Sequence, residues 1–242
     1  MFWKTVLSHC IHHESEVQVR QNLLFRWFTF NNATIQSLIH RYHPERPQLE
    51  YIRLLILPAC ANPGSFCLLG LGGAGVLHAL APYYQHHPLH AVEINPRVIE
   101  LCQTHFMLNQ LPDCTVIHAN AIDVVQEEPH RYQHLLVDLF DAIRLPQDCA
   151  TKAFFQHCQH ALTPDGTLAI NIGNALDLRP TLTHISQLFQ NRHVILPTAR
   201  ARNWIILAHN GPSIEPILML LRQTKGLKQL KWQDTWGYVA VF

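Results

Sequence analysis

Residues 66–75, Phe66-Cys67-Leu68-Leu69-Gly70-Leu71-Gly72-Gly73-Ala74-Gly75, decide the fold. A short apolar run stops at a glycine turn, and a helical apolar pattern follows at once with Val76, Leu77, Leu80 and Ala81. In sequence order this is a buried strand, a tight turn and a helix N-terminus. Glycines at such a turn let the backbone approach a ligand where a Cβ would clash. Eighteen residues past Gly75 stands Glu93, closing a second apolar run, Ala91-Val92-Glu93, and followed by Ile94-Asn95-Pro96. A carboxylate at the end of the second strand suits the hydroxyls of a ribose. Together the two pieces describe a nucleoside pocket at the carboxyl ends of parallel strands.

The chain has 242 residues, enough to bury a sizeable core. One α/β domain with a small appendage is the expected organisation. Charged residues make up only 14% and the net charge is +1, so there is no basic surplus to draw nucleic acid. No run reaches the ~18 apolar residues of a membrane span, and Met1-Phe2-Trp3-Lys4 leads into Ser8, His9 and Cys10 rather than a secretory core. The seven cysteines are odd in number and scattered, mostly in apolar settings, as buried free thiols are, which suits a cytoplasmic location. Eighteen histidines raise the question of a metal. Their groups (His9, Cys10, His12 and His13; His86, His87 and His90; His157, Cys158 and His160) lack the paired spacing of a zinc site, so no metal is expected.

Residues 1–47 read as a small antiparallel β domain. Strands are expected at 17–19 and 23–28, a turn at Asn31-Asn32, and a return strand at 34–37, with Pro44 and Pro47 marking the boundary. Residues 48–242 read as a nucleoside-binding α/β domain, opened by a helix over 48–61. Strands at 65–69, 88–93, 115–118, 134–138 and 166–171 alternate with helices at 73–84, 96–109, 121–127 and 151–161. Thr163-Pro164-Asp165-Gly166 reads as a turn before the last of these strands. A helix at 178–190, strands at 193–197 and 203–209, a helix at 213–224 and a strand at 237–242 complete the chain. Alternating units of this kind make a parallel sheet covered on both faces.

Gly70-x-Gly72-x-x-Gly75 satisfies the dinucleotide fingerprint and, with Glu93, fits NAD and a nucleoside thioether equally well. A third position separates them. Leu135-Leu136-Val137-Asp138-Leu139-Phe140-Asp141 is a further strand ending in one carboxylate, with a second three residues on. Parallel strands open their carboxyl ends onto one crevice, so Asp138 and Asp141 are expected to face the pocket bounded by Gly72 and Glu93. A dehydrogenase has no evident need of two acids there, whereas a transferase that binds a cationic amine has. The competing reading of Asp141 is a residue that caps a turn.

From Leu23 to Asn171 the chain resembles the spermidine synthase (polyamine aminopropyltransferase) family, within the class I methyltransferase-like Rossmann fold. The resemblance is carried by Leu-Gly-Leu-Gly-Gly-Ala-Gly at 69–75, Val-Glu-Ile-Asn-Pro at 92–96, Ala119-Asn120-Ala121, Val-Asp-Leu-Phe-Asp at 137–141 and Thr163-Pro164-Asp165-Gly166. It implies transfer of an aminopropyl group from decarboxylated S-adenosylmethionine, a co-substrate rather than a prosthetic group, to a small-molecule amine. It implies Asp138 as the base and Asp141 as an amine ligand, with Tyr51 also on the acceptor. It places Gly70, Gly72, Gly73 and Gly75 around the donor, Glu93 on its ribose, and Asn120 with Ala121 against adenine. It further implies a homodimer.

The departures lie mainly on the amine side. Gly73 stands where the family usually carries an aspartate that grips the donor's amine, and Asn120 replaces an adenine-side aspartate. Ile52 and Arg53 replace a glutamine and a glutamate after the tyrosine, and Ala142-Ile143-Arg144-Leu145-Pro146 replaces a Pro-Gly-Pro stretch. An Arg53 facing the pocket would repel a polyamine. The alternatives are a methyltransferase using S-adenosylmethionine itself, a non-catalytic relative that binds adenosyl thioethers, and, more distantly, an NAD-dependent oxidoreductase.

Overall fold

The structure, a computed structural model, describes residues 8–14, 17–30, 35–127, 129–141, 144–199 and 203–242. A four-stranded antiparallel sheet comes first: β1 (His9–Glu14), β2 (Val17–Gln21), β3 (Phe25–Phe30) and β4 (Ile35–His40), in that spatial order. The expected Asn31-Asn32 turn and Thr34 lie outside the described residues. β1 is an addition to the sequence reading.

The segment expected as one helix over 48–61 is two: α1 (Glu50–Leu55) and α2 (Leu57–Ala61). Pro58 has no N–H to continue the ladder of α1, so the chain turns at Ile56 and starts again. Next come β5 (Phe66–Leu69), α3 (Gly75–Leu80), β6 (Leu89–Glu93), α4 (Pro96–His105), β7 (Cys114–His118), α5 (Ala121–Glu127) and β8 (Tyr132–Val137). α3 is shorter than expected. It begins only after Ala74, held in the left-handed region at φ 58°, and ends before Pro82. α4 begins as its sequence predicts, with Asn95 Oδ1 accepting from Arg97 N at 3.0 Å and Pro96 in the first turn. It stops at His105, and a left-handed Met107 (φ 55°) leads into a separate 3-10 turn, Leu108–Gln110.

α6 (Lys152–Ala161), β9 (Leu162–Ile172), α7 (Ala175–Leu188), β10 (His193–Pro197), β11 (Trp204–His209), α8 (Glu215–Gln223), β12 (Gln229–Gln233) and β13 (Gly237–Val241) complete the fold. The expected turn at 163–166 is a bulged excursion inside β9: one residue of β8 between the paired Tyr132 and His134 is matched by four of β9 between their partners Leu162 and Thr167. α7 begins three residues earlier than predicted because Asn174 Oδ1 caps it, accepting from Leu176 N at 3.0 Å. β12 is a strand the sequence reading lacked.

The large sheet has the order β12-β13-β10-β11-β9-β8-β5-β6-β7. Its centre, β9-β8-β5-β6-β7, is parallel. β11 runs antiparallel to both β9 and β10, which corrects the expectation of a wholly parallel sheet. The connection 198–203 between β10 and β11 is too short for a crossover and must be a hairpin.

All four residues of β5 are buried, as a central parallel strand requires. Phe66 and Leu68 join a core that holds α1, α2, α3, α4, α8 and residues Val19, Phe28 and Ile39 of the small sheet. Cys67 and Leu69 join the opposite core, with α5, α6 and α7. This is the two-residue alternation of a strand, with a helical layer on each face. The small sheet therefore packs on the same face of the large one as α1 and α3.

Candidate active site

Three neighbouring strands end level. Leu69 of β5 pairs with Val92 of β6 and with Val137 of β8, so the residues that follow, Gly70, Glu93 and Asp138, stand side by side across the sheet. Gly70 N donates to Val92 O at 2.8 Å and Asp138 N donates to Leu69 O at 2.9 Å. A Cβ at Gly70 would lie 2.3 Å from the Asp138 carbonyl oxygen, and Gly70 has φ +95°. Only glycine allows this approach. The glycine turn and Asp138 of the β8 end therefore stand together at the carboxyl edge of the sheet.

The Glu93 carboxylate is held at both oxygens, by Leu71 N (3.0 Å to Oε2) and by Asn95 N (2.9 Å to Oε1). It thus ties the glycine turn to the start of α4. Cys102 Sγ in α4 donates to Gly72 O at 3.0 Å and anchors the same turn, and burial pushes this thiol's pKa up, keeping it a thiol. The space outside Gly72 is open. Gly75 packs against Ile52 of α1. Asn120 is half-buried, and its Oδ1 caps α5 by accepting from Ile122 N at 3.0 Å. Ala121 is the first residue of α5.

Gly73 is closed rather than open. A Cβ there would meet Ser37 Oγ at 2.3 Å and Ser37 Cβ at 2.5 Å. Ser37 belongs to β4 and is buried. The small sheet therefore fills the space where a side chain at position 73 would stand. Ser37 escaped the sequence reading because nothing in Ile-Gln-Ser-Leu-Ile distinguishes it from an ordinary strand serine.

Tyr51 Oη donates to Asp138 Oδ2 at 3.0 Å, and Asn171 Nδ2, from β9, donates to Asp138 Oδ1 at 2.7 Å. Burial raises the pKa of the Asp138 carboxyl above the ordinary carboxylate value, while these two hydrogen bonds to its charged form pull it back. Burial, then the adjacent Asp138, raises the Tyr51 phenol well above its ordinary value, so Tyr51 stays a donor. Asn171 was visible only as the end of a strand. The signal for it was a polar residue in the apolar run Leu-Ala-Ile-Asn-Ile, one strand over from Asp138.

Asp141 is not brought to Asp138 in this way. It is exposed, and its backbone pairs with Arg144 (Asp141 N to Arg144 O, 2.7 Å), the turn arrangement that competed with the ligand reading. Arg144 in turn donates from Nε and Nη2 to Asp177 Oδ1 at 3.1 and 2.7 Å, which fastens this loop to α7. Arg53 is exposed, and at two residues from Tyr51 it lies about 200° around α1. It faces away from Asp138 and does not oppose a cation there. Among the described residues no group of three or more His, Cys, Asp or Glu is placed to hold a metal ion, and no helix is long and apolar enough to cross a membrane.

A glycine turn beside a backbone-held carboxylate, at the carboxyl ends of a Rossmann-like sheet, defines an α/β protein of the methyltransferase class. The chain belongs to the family described as the methyltransferase small domain, whose model matches residues 60–205. Its curated relatives include the polyamine aminopropyltransferase of Chromobacterium violaceum, 27% identical over 205 residues and covering 82% of this chain and 78% of that one. That of Neisseria meningitidis is 26% identical over 199 residues, covering 80% and 75%. Among solved structures, a probable spermidine synthase from Corynebacterium glutamicum has a TM-score of 0.69 at 20% identity, covering 91% of this chain and 89% of that one. The spermidine synthase of Thermotoga maritima has 0.68 at 19%, covering 93% and 81%. The resemblance read from the motifs is borne out.

Proposed function

We propose that this chain is an aminopropyltransferase, moving the aminopropyl group of decarboxylated S-adenosylmethionine onto a polyamine nitrogen. The observation that carries the reading is the Asp138 carboxylate, gripped by Tyr51 and Asn171 and standing against the donor turn at Gly70. The donor's sulfonium leaves as a neutral thioether, taking the C–S electron pair. The acceptor enters as an ammonium ion and must lose a proton before its lone pair can form the C–N bond. Asp138 holds the cation and takes that proton. Glu93, fixed by two backbone N–H groups, binds the ribose, and the turn 70–75 holds the donor in line, so that much of the acceleration comes from positioning. Asn120 and Ala121 border the adenine. Asp141, exposed at the mouth, meets the far end of the amine. We read the enzyme as a cytoplasmic homodimer; light scattering checks the second point, and the free thiols at Cys67, Cys102, Cys149 and Cys158 suit the first.

Incubation with decarboxylated S-adenosylmethionine and a panel of diamines tests the reading. Methylthioadenosine should form in step with alkylated amine, and its absence across the panel would overturn it. Ser37 packed on Gly73 favours a second reading, methyl transfer from S-adenosylmethionine. With no carboxylate at position 73, nothing there repels the carboxylate that this donor carries and the decarboxylated one lacks. Calorimetry with both donors separates the two, tighter binding of the decarboxylated donor being expected.

Glu93→Gln is expected to weaken donor binding by about 1–3 kcal/mol, because an amide has one acceptor oxygen for two N–H donors and turns its NH2 against one of them. The same titration, run beside thermal unfolding, checks it.

A further inference from the structure

The hydrogen bonds at Asp138 do not end at Asn171. Asn171 is 1% exposed, and its amide is engaged at both ends: Nδ2 donates to Asp138 Oδ1 at 2.7 Å, and Oδ1 accepts from Asn203 Nδ2 at 2.8 Å. An amide is a donor at one end and an acceptor at the other. Turned over, Asn171 would set its oxygen against the carboxylate and its NH2 against that of Asn203. Asn203 itself is fixed at the base of the β10–β11 hairpin. Its N–H donates to Thr198 Oγ1 at 2.9 Å, and its carbonyl accepts from Thr198 N at 2.9 Å and from Thr198 Oγ1 at 3.1 Å. The next residue, Ala199, donates its N–H to Glu50 Oε1 at 3.1 Å. Glu50 adjoins Tyr51, the other donor to Asp138, so the hairpin holds both sides of the carboxylate.

We infer that Asn203 is a positioning residue for Asp138: its donor fixes the Asn171 amide with the NH2 toward the carboxylate, so the β10–β11 hairpin sets the orientation of the base. The inference rests on the reading of Asp138 as the base. Asn203 hydrogen-bonds to Asn171 and Thr198 and to no residue of the 70–75 turn, so its effect belongs to turnover and not to donor affinity.

Asn203→Leu keeps the size and branching and removes the donor. Its kcat should fall about tenfold, what one net hydrogen bond carries, with donor affinity unchanged. The acid limb of kcat/KM should move to higher pH, because the Asn171 bond lowers the Asp138 pKa and its loss leaves burial less opposed. Tyr51 from α1 is the titratable group in contact with Asp138; Asn171 and Asn203 are neutral and supply no limb of their own. In an Asn171→Leu background, Asn203→Leu should add nothing, since both act through one amide. An unmoved limb with kcat near the wild-type value, or effects that add in the double variant, overturns the inference while Asp138→Asn remains inactive. Full turnover in Asp138→Asn instead overturns the reading of the base, and the inference with it. If Asn203→Leu does not fold, Asn203→Ala carries the same readouts.

Discussion

Asp138→Asn is expected to lower kcat by about 10²–10⁴-fold, the range for loss of a positioned general base, while donor affinity by calorimetry stays near the wild-type value. The substituted side chain can keep its neighbours, because its oxygen still accepts from Asn171 Nδ2 and its NH2 can donate to Tyr51 Oη. In the proposed reaction, what is lost is the charge that holds the ammonium and the site that takes its proton. Retention of turnover within tenfold would remove Asp138 from the chemistry.

The same variant should melt no lower than the wild type. Burial raises the folded-state pKa of Asp138. The folded protein therefore binds this proton more readily than the unfolded chain does, and its ionised form costs stability above that pKa. Asparagine carries no such charge at any pH, so relief of the cost should appear near neutrality and fade as the pH falls and the wild-type carboxyl takes up its proton. An acid kept at a cost to stability, half-buried at the carboxyl end of a central strand, points to function rather than packing. For turnover the dependence runs the other way: the base must be ionised, so kcat/KM should fall on the acid side with a midpoint above that of an ordinary carboxylate.

The centre of this arrangement was legible because its residues act through local pattern. β5, β6 and β8 are short apolar runs, each ending in the residue that matters, Gly70, Glu93 or Asp138. Parallel topology then brings their ends together without further information. Tyr51 came from the family resemblance, since it meets Asp138 across 87 positions. Ser37 and Asn203 act through packing and hydrogen bonds to distant elements, and neither stands in a pattern that marks it. The edge strands were missed for a different reason. β12, Gln-Leu-Lys-Trp-Gln, is largely exposed and sets only Leu230 and Trp232 on one face, and His-Cys-Ile-His-His-Glu in β1 is mostly polar, so neither carries an apolar pattern long enough to mark it. Helix limits at Ala74 and Met107 depend on left-handed backbone at residues whose side chains do not announce it.

Gly70→Ala should do more damage than any other single methyl in the turn. The added Cβ would sit 2.3 Å from the carbonyl oxygen and 2.9 Å from the carbonyl carbon of Asp138, both backbone atoms that no rotamer change can move aside, and 3.3 Å from Leu139 Cδ2. The backbone there also has φ +95°, which L side chains rarely adopt. β5 and β8 must part, lengthening the Asp138 N to Leu69 O bond, so the donor turn and the base shift relative to each other. Backbone strain of about 1–3 kcal/mol adds to an overpacking cost of about 1–3 kcal/mol, a fall in Tm of very roughly 5–20 °C for a chain of this size. The neighbouring glycines supply the scale. An alanine at Gly73 meets Ser37, a side chain of another sheet, and one at Gly72 enters open space with only the strain of φ +53°. Thermal unfolding should therefore rank the variants 70, 73, 72 in falling severity, with donor affinity lost most completely at 70. A Gly70→Ala protein that melts like the wild type and turns over would mean that the close approach of these two strands is not what assembles the site.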